Sequence, residues 1–136
     1  ILYFVEHHWN ELLKFSRRSE YTMNRWAARY GYEHTPKAIM DKAKKGGNGR
    51  YAAVNLCNYH TVEFRLFRGT LKYNTFIATI QLVNRICDSA MYNTDDSIAK
   101  LSWSDFVADI TEPELIQYLK ERQLYINEEV QTEEEM

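Results

Sequence analysis

The chain has 136 residues, of which 45% are hydrophobic and 26% charged, and carries a formal net charge of −2. That is the length of one compact domain and the composition of an ordinary globular protein, and the charge excludes a strongly basic nucleic-acid binder on total charge alone. No apolar run approaches the ~18 residues of a membrane span, and Cys57 and Cys87 form neither a CxxC pair nor a metal-ligand spacing, which fits a reducing cytoplasm better than a disulfide scaffold.

The opening Ile1-Leu2-Tyr3-Phe4-Val5 lacks the basic flank and cleavage site of a signal peptide. With no initiator Met before it, the chain reads as a piece cut from a longer protein. From Tyr3 to about Tyr30 apolar residues recur at helical spacing: Val5, Trp9, Leu12 and Leu13, then Trp26, Ala27 and Tyr30. Ser19 is a candidate N-cap that breaks this run into two helices, and Gly31 is a candidate stop. Thr35-Pro36 predicts a new helix, Thr35 as N-cap and Pro36 at its first position, running through Lys37 to Lys45 with lysines at its C-terminal end. Gly46-Gly47-Asn48-Gly49 predicts a flexible loop.

Two strands are predicted next, Tyr51–Leu56 and Thr61–Arg68, joined as a hairpin through Cys57-Asn58-Tyr59-His60. Beyond Gly69-Thr70, the residues Phe76, Ile77, Ile80, Val83, Ile86 and Cys87 trace the apolar stripe of an amphipathic helix. Ser102 and Thr111 are further N-caps, and Thr111-Glu112-Pro113-Glu114 predicts a capping box opening a helix to about Arg122. Residues 126–136 hold five of the nineteen acids and no base, which predicts a disordered acidic tail and leaves residues 1–125 as the folded unit, at +3. The expected class is α+β, mostly helical with one antiparallel β-hairpin. A lone hairpin is marginal in water and has to pack on the helices, join another chain or belong to a larger sheet. Its open edges predict self-association by strand pairing.

The most informative stretch is Thr61 to Thr70. Val62, Phe64 and Leu66 alternate with Thr61, Glu63, Arg65 and Phe67, which places Glu63 and Arg65 on one face about 7 Å apart. A carboxylate can ligate Mg²⁺ and a guanidinium fork can neutralise phosphate oxygens, so the pair suits a metal-bound phosphorylated ligand. For an isolated Glu-x-Arg strand the commoner case is a solvated face carrying an ion pair, so the surrounding segments have to carry the argument. Asn55 interrupts an apolar strand and shares the face of Glu63 only if the hairpin connection has an odd residue count, about three or five. Arg17 and Arg18 stand at a helix break, either as solvated charge or with a functional role. The four histidines show no ligand spacing, and adjacent His7 and His8 are expected to point apart. Tyr3, Trp9, Trp26 and Phe76 are read as core rather than as a nucleotide-stacking platform.

The order of segments resembles the amidoligase family of phages and bacterial mobile elements. The resemblance runs from Leu2 to about Tyr125, through Trp9–Arg18, Arg25–Tyr32 and Ala53-Val54-Asn55-Leu56, to the block Thr61-Val62-Glu63-Phe64-Arg65-Leu66-Phe67-Arg68-Gly69-Thr70-Leu71. That family is similar to glutamine synthetase and glutamate–cysteine ligase. The resemblance implies a partial glutamine synthetase-like catalytic domain that joins a carboxylate to an amine through an acyl phosphate, with ATP and Mg²⁺ as cofactors. It implies Glu63 as metal ligand, Arg65 and Arg68 as catalytic charge stabilisers, Asn55 as an orienting residue, and Arg18 with Arg65 in nucleotide binding. Family members also carry upstream paired Glu residues and a His-x-His strand, to which nothing here corresponds, so the isolated chain is expected to be inactive. The alternative is a non-catalytic binding or assembly module. Nucleic-acid binding through Arg17, Arg18, Lys42, Lys44, Lys45, Arg50, Arg65 and Arg68 ranks last, because these bases are scattered over several elements.

Overall fold

A computed structural model describes residues 1–45 and 51–125. The first two helices, α1 (Leu2–His7) and α2 (Trp9–Ser16), are separated by a bend at His8. Leu2, Phe4, Val5, Trp9, Leu12 and Phe15 are all buried, so the stripe read from the sequence is the core-facing side of both helices. The bend overturns one expectation: the His7 and His8 rings do not point apart but lie edge to face with centroids 4.7 Å apart. Arg17 ends α2 in the left-handed conformation at φ 62°, and the Ser16 hydroxyl accepts from the Arg18 N–H at 3.1 Å.

Ser19 caps α3 (Glu20–Trp26), its hydroxyl accepting from the Thr22 N–H at 3.2 Å, as its position in the sequence predicts. The helix stops well before Gly31, because the backbone beyond Trp26 bonds elsewhere. Ala28 N–H donates to the Tyr51 carbonyl at 2.7 Å, Ala53 N–H to the Ala28 carbonyl at 2.8 Å, and Tyr30 N–H to the Glu6 carboxylate at 2.9 Å. Thr35 caps α4 (Pro36–Lys44), with Pro36 in its first turn. The predicted Gly46–Gly49 loop lies outside the described residues, as does the predicted acidic tail.

The hairpin is present but much shorter than its sequence pattern. β1 (Val54–Asn55) pairs antiparallel with β2 (Glu63–Phe64), in the register Val54 to Phe64 and Asn55 to Glu63. An odd number of residues, 56–62, separates the paired positions, longer than the three or five expected. Ala52 forms a parallel bridge with Ala28, and after Arg65 the chain leaves β1 to donate from Arg68 N–H to the Ser16 carbonyl at 3.2 Å. Competing partners for the backbone therefore truncate both strands. The alternation breaks with them: Leu66 is fully buried, but Phe67 also turns inward onto Phe15, ring centroids 5.7 Å apart.

The longest helix among the described residues, α5 (Tyr73–Tyr92), shares only Ile86 of its buried face with the predicted stripe. Thr75, Ala78, Leu82 and Ile86 face the core, whereas Phe76 and Ile80 are half exposed. α6 (Asp95–Lys100) opens on a reciprocal capping box between Thr94 and Ser97, and α7 (Trp103–Ala108) on one between Ser102 and Asp105. The last helix, α8 (Pro113–Glu121), packs along α5. Its predicted capping box at Thr111 does not form. Pro113 at the first helical position makes Glu112 the N-cap, and the Glu112 carboxylate turns instead to the Arg85 guanidinium. That pair holds Glu112 down at about 2. Because the folded value lies below the ordinary one, its contribution is present above pH 4.5 and fades as pH falls toward 2. The partners are partly solvated, so Arg85→Ala is expected to cost about 1 kcal/mol at pH 7 and almost nothing at pH 2, read from paired thermal melts.

Gln81 ties the same two helices, accepting from the Leu115 N–H and donating to Glu114, each at 3.0 Å. The architecture is thus mostly helical with a two-stranded antiparallel sheet, the α+β class expected. Among the described residues no helix is long and apolar enough to cross a membrane. A second pH effect arises at His8, whose ring is buried against Phe4 and Trp103 and whose Nε2 has no partner. Burial pushes it down to about 4. The unfolded chain takes up a proton below pH 6.5 while the folded chain resists it, so stability falls as pH drops from 6.5 toward 4. The expected loss is on the order of 2 kcal/mol, measurable by denaturant titration at pH 7 and pH 4.5 and removed in His8→Phe.

Candidate functional site

The register of β1 on β2 sets Asn55 opposite Glu63. Asn55 is buried, and its amide is fully oriented: Nδ2 donates to Glu63 Oε1 at 3.0 Å, and Oδ1 accepts from the Cys57 N–H at 2.9 Å. Its two partners, a carboxylate and an N–H, can be satisfied in one orientation of the amide alone. Arg65 Nη1 approaches the same Glu63 oxygen at 3.5 Å, while its Nε donates to the Trp26 carbonyl at 3.4 Å. The Arg65 guanidinium lies over the Tyr51 ring, 5.5 Å from its centroid. The predicted trio Asn55, Glu63 and Arg65 is therefore one connected polar group.

Arg18 joins it from the α2–α3 break. Its Nη2 reaches the carbonyls of Arg65 and Phe67 at 3.4 and 3.5 Å. Burial lowers the Arg18 pKa, and the neighbouring Arg65 and Arg68 lower it further. Arg17 donates from Nη2 to the Arg68 carbonyl at 2.7 Å, which anchors the segment leaving β2 to α2. The Nε atoms of Arg17 and Arg18 are both buried without a hydrogen-bond partner. Arg17, Arg18 and Arg68 line a cavity of about 470 Å³ with Ser19, Thr22 and Trp26.

The structure thus brings together Arg18, Asn55, Glu63, Arg65 and Arg68. It adds Arg17, Ser19, Thr22 and Trp26, of which only Arg17 had a functional reading in the sequence. The Arg-Arg-Ser step at a helix break was the available signal. Trp26 is a correction: expected in the core, it is 42% exposed, because α3 is amphipathic only through Met23 and ends as Trp26 reaches the surface. Phe76 is likewise exposed, whereas Tyr3 and Trp9 are core as expected.

Three guanidinium groups lining one recess fit an anion, and two phosphate oxygens can accept from a guanidinium fork together. The fit to Mg²⁺ is narrower. Among the described residues no group of three or more His, Cys, Asp or Glu side chains can hold a metal. Glu63 can therefore serve only in the manner of sites that use one carboxylate plus phosphate oxygens. Its Oε1 is shared with Asn55 and Arg65, so a cation there would displace part of that network. Comparison with known proteins returns no matching family model, no matching curated protein and no matching solved structure.

Proposed function

We propose that this chain carries part of the site of an ATP-dependent carboxylate–amine ligase within a glutamine synthetase-like domain acting in the cytoplasm. The observation that carries the reading is the clustering of Glu63, Asn55 and Arg65 on one strand pair, with Arg18 bridging to the same strand. ATP, when bound, would supply the phosphoryl group that activates a carboxylate. Arg18, Arg65 and Arg68 neutralise phosphate charge, which matters because phosphoryl transfer depends on positioned cations more than on covalent groups. Glu63 would hold Mg²⁺ through its carboxylate, whose direction Asn55 fixes by donating to Oε1. The test is titration of ATP with and without Mg²⁺ into the chain. Arg18→Ala is expected to weaken binding at least tenfold, and Glu63→Ala to abolish its dependence on Mg²⁺. Because the chain carries part of the site, weak binding is expected, and an affinity that responds to neither substitution would remove this reading.

A second reading, a non-catalytic assembly module that includes self-association by strand pairing, is favoured by a separate observation. Val62, Leu71, Phe76 and Ile80 are exposed apolar side chains, and Phe76 and Ile80 line a groove with Phe64 of β2 and with Phe67. A concentration-dependent sedimentation coefficient that reverts on Phe76→Lys would support it.

A further inference from the structure

The cavity beside α3 has features that a metal-bound triphosphate does not require. Its lining combines three guanidinium groups with an exposed indole. The basic and aromatic character also continues along the outer face of α3. The Arg25 guanidinium lies 5.0 Å from the centroid of the Trp26 ring and donates at 3.3 Å to the hydroxyl of Tyr21, which is 70% exposed. Tyr51 holds the indole from another side, edge to face at 5.7 Å. The arginine cavity of Arg68, Arg17 and Arg18 therefore borders Trp26, and from there Arg25 and Tyr21 continue the basic and aromatic character along α3. Beside this surface, Glu63 pairs with Arg65 at 3.5 Å.

That combination of basic groups and exposed rings is what a chain of phosphates and unstacked bases requires: cations at intervals along the backbone and flat rings on which bases lie. We infer that the surface formed by Arg17, Arg18, Arg68, Trp26 and Tyr21 binds single-stranded nucleic acid. The phosphodiester backbone crosses the cavity lined by Arg17, Arg18 and Arg68, whose guanidinium groups supply the positive charge, and bases stack on the exposed Trp26 and Tyr21. A duplex keeps its bases stacked inside and presents none to an indole at the mouth of a recess, so single strands are preferred. The bases judged scattered in the sequence are thereby sorted. Arg17, Arg18, Arg65 and Arg68 converge, Lys42 is held by Glu33 at 2.9 Å on α4, and Arg50 lies outside the described residues. The inference is independent of ligase chemistry and stands or falls on polynucleotide binding.

The experiment is fluorescence anisotropy with a 5′-labelled twelve-nucleotide single strand, as DNA and as RNA, against the whole chain over a salt series. Parallel arms use the same sequence as a duplex, MgATP as competitor, and a phosphoserine peptide. The expected result is single-strand binding whose logarithm falls with log salt at a slope of about −2, as neutralising three phosphates gives. Arg68→Ala should flatten that slope by nearly one unit, and Trp26→Ala should weaken binding about tenfold while Trp26→Phe retains most of it. Arg68 and Trp26 are exposed, and unchanged thermal melts would show that the variants fold. Four results would overturn the inference: no oligonucleotide binding, duplex bound as tightly as single strand, equal affinity for the phosphopeptide, or affinity indifferent to Trp26→Ala. Binding of MgATP without the oligonucleotide would sink it while leaving the ligase reading intact.

Discussion

Replacing Glu6 with alanine is expected to cost about 3 kcal/mol of folding stability, more than any surface change in this chain. Glu6 is buried in α1, and both carboxylate oxygens are committed. Oε1 accepts from Arg29 Nε at 2.8 Å and Oε2 from the Tyr30 N–H at 2.9 Å, while the Arg29 Nη2 donates to the Glu6 carbonyl at 3.2 Å. Arg29 also lies over the Trp9 ring at 4.9 Å, so one side chain locks α1, the start of α2 and the segment after α3. Truncation removes the acceptor of the Arg29 Nε and of the Tyr30 N–H in a part-buried site, and donors that lose their acceptor there cost more than the intact pair contributes. Glu6→Gln keeps an acceptor for one of the two donors and should lose about half as much. The effect reaches the site, because the 28–30 segment held by Glu6 pairs with residues 51–53 and so supports β1. Denaturant titration of the two variants decides it: a loss below 1 kcal/mol in Glu6→Ala would mean that the network is not what anchors this segment.

The parts of this fold that were legible in the sequence are those governed by local chemistry. Ser19, Thr35 and Ser102 all cap the helices that their positions predict, since a hydroxyl acceptor ahead of an apolar repeat needs nothing distant to work. Thr111 fails for an equally local reason, as Pro113 claims the first helical position and moves the cap to Glu112. What could not be read were the competitions between distant partners. The strands at 51–56 and 61–68 carry ample β-pattern, yet Ala28 captures Ala52 and Ser16 captures Arg68, leaving two paired residues on each side. The candidate site divides along the same line. Glu63 and Arg65 share a face because a strand has period two, and Asn55 could be placed opposite them only through the register. Arg17, Thr22 and Trp26 enter because the α2–α3 break folds against the end of β2, a contact between residues some fifty positions apart in sequence. Nothing in the order of residues announces it.

The helix α5 shows why an apolar stripe can mislead, and it carries the last large prediction. Its sequence holds two overlapping apolar sets. Phe76, Ile77, Ile80 and Val83 are the bulkier, and hydrophobicity alone selects them together with Ile86 and Cys87. Thr75, Ala78, Leu82 and Ile86 are smaller on average, and they are the set that is buried. Close packing favours small side chains on the buried face of α5: Ala78 is fully buried, and the Thr75 carbonyl accepts from the Thr79 hydroxyl at 2.7 Å. Bulk at those positions would hold α5 off the core, and the larger residues are left outside, along a groove with Phe64 and Phe67. Two truncations on the same helix therefore separate strongly. Leu82→Ala removes a fully buried side chain and is expected to cost about 3 kcal/mol through lost transfer energy and the cavity it leaves. Ile80→Ala removes one that is 53% exposed and should cost under about 0.5 kcal/mol. Equal losses would mean that α5 is rotated relative to the core, whereas the expected sixfold disparity fixes which face it buries and leaves the Phe76–Ile80 ridge available to a partner.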